Sequence, residues 1–453
     1  MPNGNVEYHP LNPSQNGLLT LFSFYPDMTI LNLAMRMDFL EEINEERLLE
    51  AVRETGRRLP YLNVRFCEKD DETVSYLSDE PIECEVVDLS DKTPEEVEAT
   101  MKGWTAGAFR APITDKPLFF FRLAHLAEGK KALYLCGQHF IVDGYSLLYT
   151  ADYFTRVYEA LDTGKELPAP APTPWKSIDD DWAYYKSERY TRDMERSMQR
   201  FETEPQFTSI NGLGSPEFIE GKRYGKELGL DQLNGLIAYR RIPKELAARV
   251  DAAAKASNLN PSDFYLLALR VYLGHVSGTD DVTTLSSITA RRTSYEQSCG
   301  FNLVTSNFVR TIIPETASFI EGAQITTDAL AAIFRRPKML SVKMRAAINE
   351  RFDTPAGCIY ASVMFAYLSV FDLEKRYMKL KANAVGSGQT NHPLYMVVVP
   401  ENEKGDLMAS YVYSPTYTRL EAVEKFHAFM LRFLDLGLAN PDKAIGELVE
   451  ESL

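Results

Sequence analysis

His139, Asp143 and Gly144 stand in the string Gly137-Gln138-His139-Phe140-Ile141-Val142-Asp143-Gly144, which sets an imidazole, a carboxylate and a flexible turn close together. Imidazole is the side chain best matched to accepting a proton near pH 7, so the string reads as acid–base chemistry. The apolar run Ala132-Leu133-Tyr134-Leu135-Cys136 before it predicts a strand, and a helical pattern begins near Tyr145. The histidine is therefore placed at a strand end. Three fixed residues recur by chance in a chain this long at roughly a few per cent. A histidine capping a turn in a packed core has the same signature, so the surrounding segments must decide.

With 453 residues the chain is long for one core and comfortable for two domains. Its 24 Phe and 24 Tyr provide ample material for a core or an apolar tunnel. A formal charge of -15 argues against nucleic acid as the main partner, because phosphate binding needs a basic footprint. The cysteines Cys67, Cys84, Cys136, Cys299 and Cys358 are odd in number, far apart and without a Cys-x2-Cys pair. They read as reduced thiols of a cytoplasmic protein, with no metal site. Met1 to Glu7 lacks the basic start and apolar stretch of a secretion signal. No run reaches the ~18 apolar residues that cross a bilayer.

The clearest boundary is Pro168-Ala169-Pro170-Ala171-Pro172-Thr173-Pro174, where alternating prolines favour a stiff, extended connector. The expected division is 1–167 as an N-terminal lobe, 168–175 as linker and 176–453 as a C-terminal lobe. In the first lobe Asn44 caps a helix through Arg57, with Leu48, Val52 and Thr55 inward. Tyr61 to Phe66 alternates like a strand with Asp70-Asp71-Glu72 as its turn. Leu118 to Leu126 and Ala132 to His139 form a hairpin across Glu128-Gly129-Lys130. Positions 147, 151, 154, 158 and 161 continue as a helix that Gly164 ends. In the second lobe helices are predicted over Asp179–Phe201, Pro243–Ala256, from Asn260-Pro261-Ser262 to Val276, and Arg419–Leu438. Strands fall at Asp281–Ile288 and Phe308–Ile313, and a hairpin joins Leu394–Val399 to Leu407–Tyr413 through Glu401–Gly405. The order fits mixed α/β architecture with mostly antiparallel strands.

The segments flanking the histidine string carry a family resemblance over nearly the whole length. Pro10-Leu11-Asn12-Pro13-Ser14-Gln15-Asn16-Gly17 resembles an opening "L-S-P-x-Q-x-G" element, and Gly56 to Phe66 resembles "R-H-P-x-L-R-x-x-F". Phe109 through Leu123 resembles "F-D-L-x-x-x-P-L-F-R", and Gly278-Thr279-Asp280-Asp281-Val282 resembles "S-G-x-D-D-V". Ala290-Arg291-Arg292 falls at an arginine motif, and Gly300 through Arg310 resembles "G-x-F-x-N-x-x-x-x-R". Together, and in this order, these elements resemble the chloramphenicol-acetyltransferase-like superfamily, which holds nonribosomal-peptide condensation domains, alcohol acetyltransferases and related acyltransferases. Two departures stand out. Gln138 replaces the first of the histidine pair that many members carry, which favours the acyltransferase reading over the condensation reading. Thr305 takes the usual asparagine's place, with Asn302 and Asn307 on either side.

The resemblance implies an α/β (α+β) fold of two chloramphenicol-acetyltransferase-like lobes, each a mixed sheet flanked by helices, arranged as a pseudo-dimer around a cleft or tunnel. It implies acyl transfer from a thioester of coenzyme A or an acyl carrier to a small alcohol or amine. His139 is the general base, and Asp143 is turned away into a structural salt bridge with Arg291 or Arg292. Gly144 lets the backbone pass close to the acyl group. Ser146 is read as a helix cap, with an oxyanion donor as the alternative; Asn302 and Asn307 are further cleft candidates. His392 precedes a proline at a strand start and is read first as a turn residue, with the cleft as the alternative, while His9, His125, His275 and His427 are read as structural. The basic stretch Arg335 to Arg351 could meet coenzyme A phosphates or an acidic carrier face, although a charged helix surface is the more frequent explanation. The implied protein is a free-standing monomer with no tightly bound cofactor and no membrane span. Its rivals are a condensation enzyme using acyl or peptidyl carrier proteins and a catalytically silent binding scaffold.

Overall fold

The strand leading to the histidine, Lys131–Gln138, is buried at every position after the first, which explains its unbroken apolar run. The computed structural model describes residues 6–229, 232–368, 376–400 and 407–453. In it this strand is the centre of a five-stranded sheet ordered Leu380–Val385, Asn32–Phe39, Lys131–Gln138, Phe119–His125 and Cys84–Asp88. Leu135 faces Met35 on one side and Phe121 on the other, both in antiparallel register. Only the Cys84–Asp88 edge runs parallel to its neighbour. The helices Glu45–Arg58 and Gly144–Thr163 pack on each other, and a three-stranded sheet of His9–Pro10, Glu72–Leu77 and Val64–Lys69 completes the unit's strands.

This first unit comprises Met1–Lys186, Thr289–Val304 and Val370–Gly388. The second comprises Ser187–Ile288, Thr305–Ser369 and Gln389–Leu453. The division differs from one cut at 168–175, because two later segments return to the first unit. The proline stretch itself is held there: Ala171 N–H donates to the Arg58 carbonyl at 2.8 Å, and Tyr153 Oη donates to the Pro168 carbonyl at 3.0 Å.

The second unit carries a six-stranded sheet ordered Val304–Ile312, Asp281–Thr289, Val363–Tyr367, Leu394–Pro400, Leu407–Tyr413 and Leu236–Ile242. Val363–Tyr367 is parallel to both neighbours, and the last three strands are antiparallel. Helices Pro261–Ser277, Phe319–Phe334 and Leu420–Ala439 supply much of its core through Leu267, Phe319, Phe426 and Phe433. Both units are mixed α/β, the fold class expected from the sequence.

Most predicted elements recur with shifts of a residue or two. Asn44 caps Glu45–Arg58 by accepting from Arg47 N–H at 3.0 Å, and Gly164 closes Gly144–Thr163 at φ 70°. Asp70 and Asp71 turn the predicted hairpin at φ 53° and 64°. Two predictions fail. Pro60–Asn63 is a 3₁₀ turn before the strand Val64–Lys69, because Pro60 fixes φ and lacks a donor. The long helix from Asp179 is instead two, Trp175–Tyr185 and Glu188–Met198, with Ser187 capping the second. Glu401–Gly405 and Met1–Asn5 lie outside the described residues. Among the described residues no helix is long and apolar enough to cross a membrane.

Candidate active site

His139 is the first residue beyond its strand, and its N–H still reaches the Leu31 carbonyl at 2.7 Å. The chain then turns. The Gln138 carbonyl accepts from Ile141 and Val142, while Gln138 Oε1 accepts from Phe140 N–H at 3.0 Å. The turn folds tightly onto the strand, since a Cβ on Gly137 would stand 2.6 Å from Val142 Cγ2 and 2.8 Å from Phe119 Cδ2. Phe140 is buried edge-on against Phe22 and Phe66. Gln15 Nε2 donates to the Phe140 carbonyl at 2.7 Å, which gives the opening sequence element a task at this loop.

Asp143 then starts the helix Gly144–Thr163. Its Oδ1 accepts from Ser146 N–H at 2.8 Å, and Ser146 Oγ accepts from Asp143 N–H at 2.7 Å, a reciprocal capping box. The carboxylate is fully buried and also takes two donors from Arg291, at 2.8 and 3.1 Å, and the Leu303 N–H at 2.8 Å. Burial alone would raise the Asp143 carboxyl; the guanidinium and the N–H donors outweigh it and hold the group below the usual carboxylate range.

Arg291 is held in turn. It donates to Thr289 Oγ1 at 2.9 Å and to the Gly300 and Phe301 carbonyls at 3.1 and 2.8 Å, and its guanidinium lies 4.3 Å from the Tyr145 ring centre. Those carbonyls are presented by two successive residues at positive φ, Gly300 at 64° and Phe301 at 63°. A Cβ on Gly300 would stand 2.0 Å from Tyr61 Cε1, and Tyr61 Oη is hydrogen-bonded to Thr150 Oγ1 at 2.6 Å.

The His139 imidazole is partly exposed, but its Nδ1 is buried without a partner. Burial lowers the ring's proton affinity, and the Asp143 charge and nearby backbone only partly restore it. Burial thus favours the neutral form of the ring. Asn302 Nδ2 donates to the His139 carbonyl at 2.5 Å, so the histidine is positioned through its backbone. Asp143 cannot serve as a relay, because both its oxygens are already committed to donors.

The remaining candidates separate clearly. Arg291 is the arginine on Asp143; Arg292 is exposed and its N–H goes to Glu296 Oε2 at 2.8 Å. Ser146 is buried in the capping box. A Cβ on Gly144 would meet nothing within 4 Å, so no neighbouring protein atom requires glycine there. Asn307 belongs to the second unit, where Nδ2 donates to the Met339 carbonyl at 3.5 Å. His392 also lies in that unit, and burial pushes its imidazole down to about 4. His125 pairs with Glu45, and His427 lies between Tyr411 Oη and the Arg241 carbonyl. Within Arg335 to Arg351, Arg336 meets Asp193, Arg345 meets Glu227, and Arg351 donates to the Met198 and Phe201 carbonyls. Gln15, Tyr61 and Gly300 were not among the predicted site residues. All three lie within the stretches that carry the family resemblance, Gln15 in the opening element, Tyr61 in Gly56 to Phe66 and Gly300 at the head of Gly300 through Arg310.

Residues 5–450 match the family model of the condensation domain. The chain is 21% identical over 452 residues to surfactin synthase subunit 1 of Bacillus subtilis (strain 168), covering 98% of itself but 12% of that protein. It is 24% identical over 214 residues to a dimodular nonribosomal peptide synthase of the same organism, covering 46% of itself and 9% of that protein. The chain thus spans a small part of the curated relatives it matches. Among solved structures, the first condensation domain of the calcium-dependent antibiotic synthetase superposes with a TM-score of 0.80 at 17% identity, covering 97% of this chain and 99% of that one. The condensation domain of the monacolin K polyketide synthase MokA gives 0.81 at 15% identity, with 98% and 100% covered. The condensation enzyme VibH gives 0.76 at 15% identity, with 94% and 95% covered. At such identities the structures speak to fold alone, while the family model spans nearly every residue. This chain belongs to the condensation-domain family.

Proposed function

We propose that the chain transfers an acyl group from a thioester, borne by a carrier protein or by coenzyme A, to an amine or alcohol, with His139 as the general base. Acyl transfer is the family's chemistry. The observation that carries the reading is the His139 ring: neutral, partly exposed and fixed through its backbone, with the adjacent carboxylate fully occupied elsewhere.

In the proposed reaction the acceptor nitrogen or oxygen attacks the thioester carbonyl carbon as His139 Nε2 takes its proton. The tetrahedral intermediate then collapses, the C–S bond breaks, and the departing thiolate regains a proton from the imidazolium. The thioester is the only co-substrate this scheme needs. The starter condensation domain of rhizomide synthetase has been solved with C8-CoA, and the first condensation domain of the calcium-dependent antibiotic synthetase with a substrate analogue. The first of these supports coenzyme A as a donor for this chain. Gln138 favoured a coenzyme A acyltransferase on sequence grounds; the family match puts the carrier-bound donor on an equal footing.

The test offers one acyl group on coenzyme A and on a carrier protein, against amine and alcohol acceptors, with mass detection of products. Turnover that collapses in His139→Ala supports the reading, and the productive donor identifies the thioester. No product across a broad panel, with the His139→Ala protein still fulfilling its biological role, would establish a silent binding protein instead.

A further inference from the structure

A cleft of about 680 Å³ opens in the first unit, between the helix Pro94–Gly107 and the strand Phe119–His125. None of the residues described above as holding His139 lines it, apart from Phe119. Its apolar walls include Trp104, Phe109 and Phe120, with Phe109 and Phe120 centred 5.6 Å apart. The charged residues lining it are all cations, Arg110, Lys116 and Arg122, although the chain carries a net charge of -15.

The three cations differ in how far they are neutralised. Arg122 lies 4.8 Å from both the Trp104 and Phe120 ring centres and donates to Glu85 at 2.6 Å, so it is largely occupied. Arg110 has Asp27 at 3.7 Å, a loose pair of two well-exposed side chains. Lys116 has no ion-pair or hydrogen-bond partner among the described residues. Two positive charges are thus available beside an aromatic wall.

The helix contributes a second, independent feature. Gly103 and Gly107 lie one turn apart, both line the cleft, and a Cβ on either would meet nothing within 4 Å. Glycine is the poorest helix former after proline, and no close neighbour requires it at these positions. Their effect is to leave the wall open.

We propose that this cleft binds a small amphipathic anion, a carboxylate on an aryl or medium-chain alkyl body. The volume suits a ligand of that size. The apolar surface would take the body, and Lys116 with Arg110 would take the carboxylate by charge-assisted hydrogen bonds. Apart from the Trp104 indole N–H the lining holds no uncharged hydrogen-bonding side chain, which argues against a sugar or a nucleobase.

The probes are 1-naphthoate and decanoate, titrated by calorimetry into the full chain, with decanol and 2-naphthalenemethanol as uncharged controls. Saturable binding of the carboxylates, at least tenfold tighter than that of the alcohols, is expected. Arg110→Ala with Lys116→Ala should weaken it about tenfold or more. Gly103→Leu fills the groove with a better helix former, so it should abolish binding while leaving the melting temperature unchanged or higher. Equal affinity for alcohols and carboxylates, or undiminished binding in Gly103→Leu, would overturn the proposal. So would an acidic peptide that binds this cleft when neither carboxylate does.

Discussion

Arg291 grips both oxygens of Asp143, at 2.8 and 3.1 Å, across 148 residues of sequence and with both side chains buried. The pair ties the segment after the strand Asp281–Thr289 to the start of the helix behind His139, so it locks the loop that carries His139. Removing one member leaves the other charged and buried. Arg291→Ala should therefore cost about 3–5 kcal/mol in denaturant unfolding. Asp143→Asn keeps a competent helix cap and isolates the loss of charge. In a double-mutant cycle the two losses should be strongly less than additive; simple addition would show that the pair is not coupled.

The same carboxyl sets a pH dependence. Its folded value lies below the unfolded one near 3.9, so the folded state binds fewer protons than the unfolded state in the interval between them. The stabilisation is complete above about pH 4 and is lost as pH falls through the folded value. Acid unfolding of Asp143→Asn should lack this contribution. An unchanged acid limb in the variant would place the effect elsewhere.

His139 gives the converse reading in kinetics. Because burial keeps its ring below the ordinary value near 6.5, kcat/KM should level off at a lower pH than a free imidazole would give. His139→Ala should lower kcat by roughly 10²–10⁴-fold with little change in stability. A rate still rising above pH 7, or a mild effect of the substitution, would assign the base to another group.

Asn302 and Gln15 each donate to a backbone carbonyl of the loop that carries His139. Asn302→Ala frees the His139 carbonyl and Gln15→Ala frees the Phe140 carbonyl, each at about 1–3 kcal/mol where the group stays buried. Misplacing the base should reduce kcat more than it changes KM. Equal stability loss with full kcat would make both residues purely structural.

Two glycines near the site should respond oppositely. Gly300→Ala drives a Cβ into the Tyr61 ring at a positive φ and should cost roughly 3 kcal/mol or more. Gly144→Ala enters open space in the first helical turn, and its stability should hold or rise by about 0.4–1 kcal/mol. If Gly144→Ala melts normally yet loses activity, the space beside it belongs to substrate.

The sequence by itself determined the local elements. A continuous apolar run located the Lys131–Gln138 strand and a period-3.6 pattern the Gly144–Thr163 helix, and Asn44 and Gly164 marked helix ends, because these signals act over a few residues. It also singled out His139, Asp143 and the pair Arg291 and Arg292, since the ordered motifs named a family. The strands Asn32–Phe39 and Leu380–Val385 went unread: Arg36 and Asp38 interrupt the apolar pattern of the first, and only pairing with Lys131–Gln138 makes it a central strand. Leu380–Val385 is largely solvated and gains its place by adding to that strand's edge.

Tertiary structure alone decided which arginine meets Asp143, because adjacent residues 291 and 292 differ only in direction. It also revealed that Gln15, Tyr61 and Gly300 brace the loop, through contacts spanning 85 residues or more for Gln15 and Tyr61. For the His139 string, the sequence set an imidazole and a carboxylate four residues apart. Folding buried the carboxylate against Arg291 and left the imidazole partly exposed.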